Sequence, residues 1–493
     1  MGDGLKKLAG ETVIYGASTI LGRLFNWLLA PFYTWVITQS ELGTIFNLYG
    51  YVAVLLVLFT YGLETGFFRF ARDDDRNNVY KTTLCMLACT SIFLIIISFI
   101  SADSISNLYY DGNYRNAVIM IGIIIAFDAF LSIPFANLRL KNRPIKFGII
   151  KLVNIAINLS FNLIFLLFIP YLIKNEILPQ SLVDIYNSGN AVFYIVLSNL
   201  IASISIFFFF IGDFRTLTGK FDLNLVSRML KYTWPVLVVG LTGMFIQNID
   251  NMLIPFLIKI DGTVQLSIYG SAFKIGILMS LFTQSFRFAF EPYFFKSRDK
   301  GKDAYAKIME YFVFFGVLIF LGVTIFIDVI YLIIESNYYE GKIIVPFVLI
   351  GFLFFGIYYN LSLWYKLTDK TKWGSVFGIT GMIITVSLNF ILLPRIGILG
   401  SALALIAGYF VMMLLSYFKG QKVYYVPYNL KRIGLYVLAG ILIYFIDSLV
   451  SFDIKIYSFI FKGLIFVSYI LFFVWMERND YIGNIVKKFL KIR

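Results

Sequence analysis

The chain has 493 residues, of which 59% are hydrophobic, 19% aromatic and only 14% charged. Soluble domains carry about 25% charged residues and need them to cover their surface, so this composition reads as an integral membrane protein. There is no histidine, which excludes histidine triads, metal ligands and proton relays, and the two cysteines, Cys85 and Cys89, are too few for a disulfide or thiolate framework.

Hydropathy predicts fourteen membrane-spanning helices, at roughly 12–36, 43–68, 80–101, 116–138, 147–169, 190–211, 232–258, 266–290, 305–328, 342–365, 374–392, 398–418, 433–450 and 457–476. The runs are continuously apolar rather than alternating, which excludes barrel strands. No connection exceeds about 20 residues, so no soluble domain is expected between spans. Met1–Glu11 is short and polar and is not expected to be a cleavable leader. On the face that holds the N-terminus lie 32 of the 42 basic residues, against six on the other face, which puts both termini in the cytoplasm. The net charge of +14 is therefore ascribed to basic residues crowding that face, and nucleic acid is set aside as a partner. Two segments have amphipathic helical spacing: Leu225, Val226, Met229 and Leu230 before span seven, and Ile482, Ile485, Val486, Phe489 and Leu490 near the C-terminus.

The two halves repeat. Leu58-Phe59-Thr60 in span two matches Leu281-Phe282-Thr283 in span eight, Pro31 matches Pro255, and Lys146-Phe147-Gly148 matches Lys372-Trp373-Gly374, all at offsets of 223–226 residues. A repeat of six helices gives two lobes of the same orientation, related by an axis along the membrane normal. The expected organisation is an N-terminal lobe at 1–212 and a cytoplasmic interfacial linker at 213–231. A C-terminal lobe at 232–420 follows, then two additional helices and a tail at 421–493.

Ionisable residues inside the spans are costly and mark candidate function. Arg23 lies about halfway along span one, and Lys274 and Arg287 lie in span eight; the fourth basic residue, Lys462, sits near a helix end and can snorkel. Asp250 stands beside Asn248 in span seven, at a depth that would let it pair with Lys274. Glu64 ends span two, Glu291 precedes Pro292 near the cytoplasmic mouth, and Asp128 sits mid-span in span four with no obvious partner. One reading is a net-positive cavity in which Arg23, Lys274, Arg287 and Asn248 meet an anionic headgroup. The other is a set of structural ion pairs between helices. No phosphate-binding GxxxxGK[ST] loop is present, and the outer loop near 170–190 offers only Lys174, Glu176 and Asp184, so no enzyme is expected.

Several of these segments resemble one family. They are Tyr15-Gly16, Gly22-Arg23 and Pro31-Phe32-Tyr33-Thr34; Glu41-Leu42-Gly43; Tyr61-Gly62-Leu63-Glu64-Thr65-Gly66 through Phe70; Ile249-Asp250; Arg287-Phe288-Ala289-Phe290-Glu291-Pro292; and Lys366 through Lys372. They resemble the Wzx-type lipid-linked oligosaccharide flippases of the MOP superfamily, which also holds the MurJ lipid II flippases and the MATE exporters. The resemblance implies an all-helical fold of fourteen spans and export of undecaprenyl-pyrophosphate-linked glycans across the inner membrane. It also implies a cavity lined by spans one, two, seven and eight, with the pyrophosphate on Arg23 and Arg287. It implies coupling to Na+ or H+ or to the membrane potential, with Glu64, Asp250 or Glu291 as candidate carriers and Asp128 a further coupling or gating candidate. The implied partners are the lipid-linked oligosaccharide, membrane lipid and a polysaccharide polymerase. The alternatives are a lipid II flippase and a MATE-like exporter, the latter disfavoured by the positive cavity.

Overall fold

Short polar residues set where the apolar runs start. Thr38 and Glu41 form a reciprocal capping box, while Asp75, Asn190, Asp222 and Asn429 each accept a backbone N–H of the helix that follows. The computed structural model describes residues 24–25, 27–187, 190–215, 217–296 (backbone only at 187, 288, 289 and 291–296), 302–368, 370–450, 452 and 454–478.

Helix α1 covers 27–36. It is followed by α2 (Gln39–Thr60), α3 (Leu63–Asp73), α4 (Arg76–Tyr110), α5 (Arg115–Leu140), α6 (Pro144–Leu163), α7 (Ile169–Lys174), α8 (Gln180–Asn187), α9 (Ala191–Phe208) and α10 (Ile211–Arg215). Next come α11 (Leu223–Leu257), α12 (Gly262–Lys296), α13 (Lys302–Ile325), α14 (Ile327–Ile330), α15 (Val345–Leu361), α16 (Leu363–Leu367), α17 (Lys372–Ile396), α18 (Ile398–Val423), α19 (Leu430–Leu449) and α20 (Lys455–Met476). There is no strand among the described residues. Thirteen stretches among them are long and apolar enough to cross a membrane, and they coincide with expected spans two to fourteen. The chain is an all-helical, multi-pass membrane protein.

In the first unit, two spans depart from simple rods. The expected continuous run at 43–68 breaks at Tyr61 and Gly62, whose φ values of 31° and 71° lie in the left-handed region. The break re-aims α3, which buries Leu63, Phe67 and Phe70 and leaves Glu64 and Arg69 on its outer side. Between α6 and α7 the backbone widens into a π turn, Ile164–Phe168, just before Pro170, whose missing N–H cannot continue the ladder. The helical face read at 225–230 opens α11 directly. Leu225 and Met229 are 2% and 0% exposed and pack with Leu63, Phe67 and Val79, while Val226 is half-buried and Leu230 is exposed. The C-terminal amphipathic segment at 482–490 lies outside the described residues.

The chain forms two units, 1–270 and 271–493, divided within α12. In the first unit α5 packs between α4, α2 and α9, α6 packs on α9, and α2 lies along α11. Lipid gives no hydrophobic push between helices, so close approach depends on small residues. At Gly43 an added Cβ would fall 1.8 Å from the backbone oxygen of Thr263. Gly43→Val is expected to destabilise the protein by about 1–3 kcal/mol, read as a lower Tm in detergent. Gly243→Ala, where nothing lies within 4 Å, leaves the Tm unchanged or raises it.

In the second unit α18 packs on α15 and α17, and α13 carries both α19 and α20. That attachment is fastened by charge. Lys307 donates to Glu310 at 3.0 Å and to Glu477 at 3.0 Å, Arg432 pairs with Glu477 at 3.0 Å, and Tyr436 donates to Glu477 at 2.9 Å. At the far end Asp328 accepts from Lys342 at 2.8 Å and from Lys462 at 3.5 Å, so Lys462 is paired with a carboxylate. The hydrogen bond and charge of Lys342, with Lys462 adding to them, hold the Asp328 carboxyl below its usual range. A depressed folded value gives stability that is present above the unfolded value of about 3.9 and is lost as pH falls through the folded one. The Tm gap between the parent chain and Asp328→Asn is therefore expected at pH 7 and closes below about pH 4.

Candidate functional site

Each unit carries its own set of polar groups within or at the ends of its spans. In the first, the facing surfaces of α1, α2, α5, α6 and α9 place Tyr33, Tyr49, Asp128, Lys151, Asn162, Asn199 and Ser203 together. Tyr33 donates to Asn162 at 2.8 Å, Asn199 to Tyr49 at 2.7 Å and Ser203 to the Asp128 carboxylate at 2.9 Å. Lys151 and Tyr49 act on Asp128 electrostatically, and the Lys151 ammonium also lies 4.3 Å from the centre of the Phe135 ring. Nearer the α3 end of this unit Arg139 pairs with Glu64 and lies 5.0 Å over the Phe68 ring. Asp128 thus does have partners, from α6 and α9. The sequence hid them because Lys151 read as a loop cation and Ser203 as one more small residue in an apolar run.

A second seam in the same unit joins α2, α4 and α11. Asn47 donates to the Asn251 carbonyl at 2.6 Å and accepts from Tyr110 at 2.5 Å. Asp250, 1% exposed, accepts a hydrogen bond from Tyr269 of α12. Asn248 donates to the Met244 carbonyl one turn back at 3.0 Å, so its side-chain oxygen remains an acceptor for other groups.

In the second unit Arg287 of α12 and Lys366 of α16 converge on one side chain. The Arg287 guanidinium lies 5.0 Å from the centre of the Tyr359 ring; Lys366 lies 4.3 Å from it and donates to the Tyr359 hydroxyl at 3.0 Å. Two cations are held on one tyrosine, and a guanidinium fork beside an ammonium fits phosphate oxygens. Lys366 carried no signal of this in the sequence, because it reads as one more cytoplasmic-loop lysine. Lys274 is half-buried in α12 of the same unit. Arg23 lies outside the described residues, as does the side chain of Glu291. Among the described residues no group of three or more Cys, Asp or Glu side chains could hold a metal ion.

Comparisons with known proteins agree with this architecture. A family model described as polysaccharide biosynthesis protein matches residues 34–343, more than half of the chain. A sequence search of curated proteins finds no match. Among solved structures, the chain is similar to the lipid II flippase MurJ in an inward closed conformation, with a TM-score of 0.75 at 16% identity over 95% of this chain and 99% of that one. It is also similar to an inward-facing multidrug resistance MATE family transporter of the MOP superfamily, with a TM-score of 0.60 at 14% identity over 86% and 95% of the two chains. A MOP superfamily transporter from Pyrococcus furiosus Vc1 matches with a TM-score of 0.53 at 13% identity over 84% and 95%. The chain belongs to the polysaccharide biosynthesis protein family, and it shares its fold with MurJ and with MATE transporters of the MOP superfamily.

Proposed function

We propose that the chain moves undecaprenyl-pyrophosphate-linked oligosaccharide units from the cytoplasmic to the outer face of the inner membrane by alternating access, with both termini cytoplasmic. The observation that carries this reading is the convergence of Arg287 and Lys366 on Tyr359. A guanidinium fork beside an ammonium is a donor set that matches the oxygens of a pyrophosphate. The polyprenyl tail stays in lipid while the glycan crosses. A cationic drug would be repelled by the same pair, which disfavours a MATE-like exporter. Arg23 and Lys274 are proposed to add to the positive lining, with Asn248 as a polar contact. The two six-helix repeats are proposed as the lobes that rock, and a polysaccharide polymerase as the acceptor of the product.

Coupling to Na+ or H+ is proposed at Asp128 or Asp250 rather than at Glu64, whose charge Arg139 already balances. Asp128 is faced by Tyr49, Lys151 and Ser203 from three different helices. Asp128→Asn is expected to remove the response of transport to an imposed pH or sodium gradient while leaving counterflow exchange of substrate. Unchanged gradient dependence would assign coupling to Asp250 or Glu291.

A lipid II flippase is the second reading, favoured by the similarity to MurJ over almost the whole of both chains. Depletion in the native host followed by extraction of undecaprenyl-linked lipids separates the two. The proposal predicts accumulation of one oligosaccharide-linked lipid with loss of surface glycan. Accumulation of lipid II selects the second reading, and no change in either lipid overturns both.

A further inference from the structure

A cavity of about 500 Å3 opens in the first unit where α5 and α9 begin. Both helices start on the face that the distribution of basic residues places outside. Its wall is polar and aromatic in a pattern that membrane packing does not require. Asn113, Arg115 and Asn116 come from the turn before α5 and its first turn, and Asn190, Phe193 and Tyr194 from the start of α9.

The wall is held in place by its own contacts. Tyr194 stacks on Tyr186 with ring centres 4.7 Å apart, donates to the Tyr186 carbonyl at 2.7 Å and meets Phe193 edge-on at 5.2 Å. Asn190 spends its amide oxygen on the Phe193 N–H at 2.8 Å, which leaves its NH2 as a donor. Arg115 is steadied by Asp103 at 2.6 Å through Nε, which keeps the outer nitrogens of the fork for another acceptor. Helix α5 has no side-chain cap, so its N-terminal partial charge lies beside the Arg115–Asp103 pair, whose outer guanidinium nitrogens still offer a donor fork.

Amides that both donate and accept match sugar hydroxyls, and aromatic rings match the C–H face of a pyranose. The volume is of the size that takes a small ligand of one or two rings. From this we infer that the cavity is an outer-face receptor for the glycan of the transported lipid, with a preference for a sugar carrying a carboxylate. The inference rests on the flippase reading for the identity of the ligand, and on the cavity alone for its chemistry.

Saturation-transfer NMR on the purified full-length protein in detergent tests it. The probes are digalacturonic acid and its neutral counterpart, galactobiose. The parent chain is expected to bind both, the acid more tightly. The double variant Asn113→Ala/Asn116→Ala weakens both by roughly tenfold, about 1.4 kcal/mol. Arg115→Gln removes the preference for the acid and leaves galactobiose unchanged. Unchanged Tm values certify that both variants are folded. Failure of the parent chain to bind either sugar overturns the inference, and so does binding that neither variant alters. The depletion experiment reads the flippase proposal separately. Lipid-linked oligosaccharide that accumulates without sugar binding here removes the receptor alone. Binding without any such accumulation removes the flippase reading and, with it, the assignment of the sugar to a transported lipid.

Discussion

On the proposed function, Arg287→Ala is expected to abolish export of lipid-linked oligosaccharide in a complemented depletion strain while the protein remains folded in the membrane. The guanidinium sits beside Lys366 on the Tyr359 ring, where a pyrophosphate would be met by a fork and an ammonium together. Removing one partner of a desolvated, hydrogen-bonded charge pair costs about 2–5 kcal/mol, roughly a thirtyfold to several-thousandfold loss. Arg287→Lys keeps the charge but loses the planar fork, so its activity falls between the two. Lys366→Ala is expected to lose less, because an ammonium offers a point charge without bidentate geometry. The quantity to follow is the ratio of undecaprenyl-linked glycan retained to surface glycan made. Export that survives Arg287→Ala unchanged removes this arginine from the substrate path.

Glu477→Ala loosens the last two helices. Glu477 is 0% exposed and takes charge from Lys307 and Arg432 and a hydrogen bond from Tyr436, while Glu310, 4% exposed, shares the same cations. Cutting one member leaves two half-buried cations facing a single buried carboxylate, at about 3 kcal/mol. Thermal unfolding should show a large fall in Tm, with faster hydrogen exchange concentrated in α19 and α20. Apolar replacement of all four ionic members is expected to recover most of that stability, since desolvation of the charges offsets much of their attraction. A shift within the noise for Glu477→Ala would show that aromatic packing, such as Phe314 on Phe473 with ring centres 3.7 Å apart, carries the attachment instead.

The membrane class and the spans were legible because lipid leaves few options. Every backbone group must be bonded within the helix, so continuous apolar length alone marks each crossing. The break at Tyr61–Gly62 was less visible, since a left-handed pair inside an apolar run leaves hydropathy unchanged. Intramembrane charges were legible as rare letters, but their partners were not. Arg139, Lys151 and Lys366 all sit near helix ends, where the rule for basic loops claims them first, yet they meet Glu64, Asp128 and Tyr359. Glu310 and Glu477 lie 167 residues apart, joined through Lys307 at a junction that no local pattern marks. Asp250 accepts a hydrogen bond from Tyr269, a residue that looks like ordinary aromatic filling in the sequence.

The central claim is that this chain carries a pyrophosphate-linked glycan through a path that includes Arg287. The direct measurement is made in proteoliposomes loaded with a fluorescent undecaprenyl-pyrophosphate oligosaccharide. The fraction of glycan that an impermeant glycosidase can reach is followed over time. The account predicts protein-dependent equilibration or net transfer of the glycan across the bilayer, lost in Arg287→Ala and slowed in Arg287→Lys. Glycan that stays on its original face with the parent protein, or crosses equally well with Arg287→Ala, would contradict it.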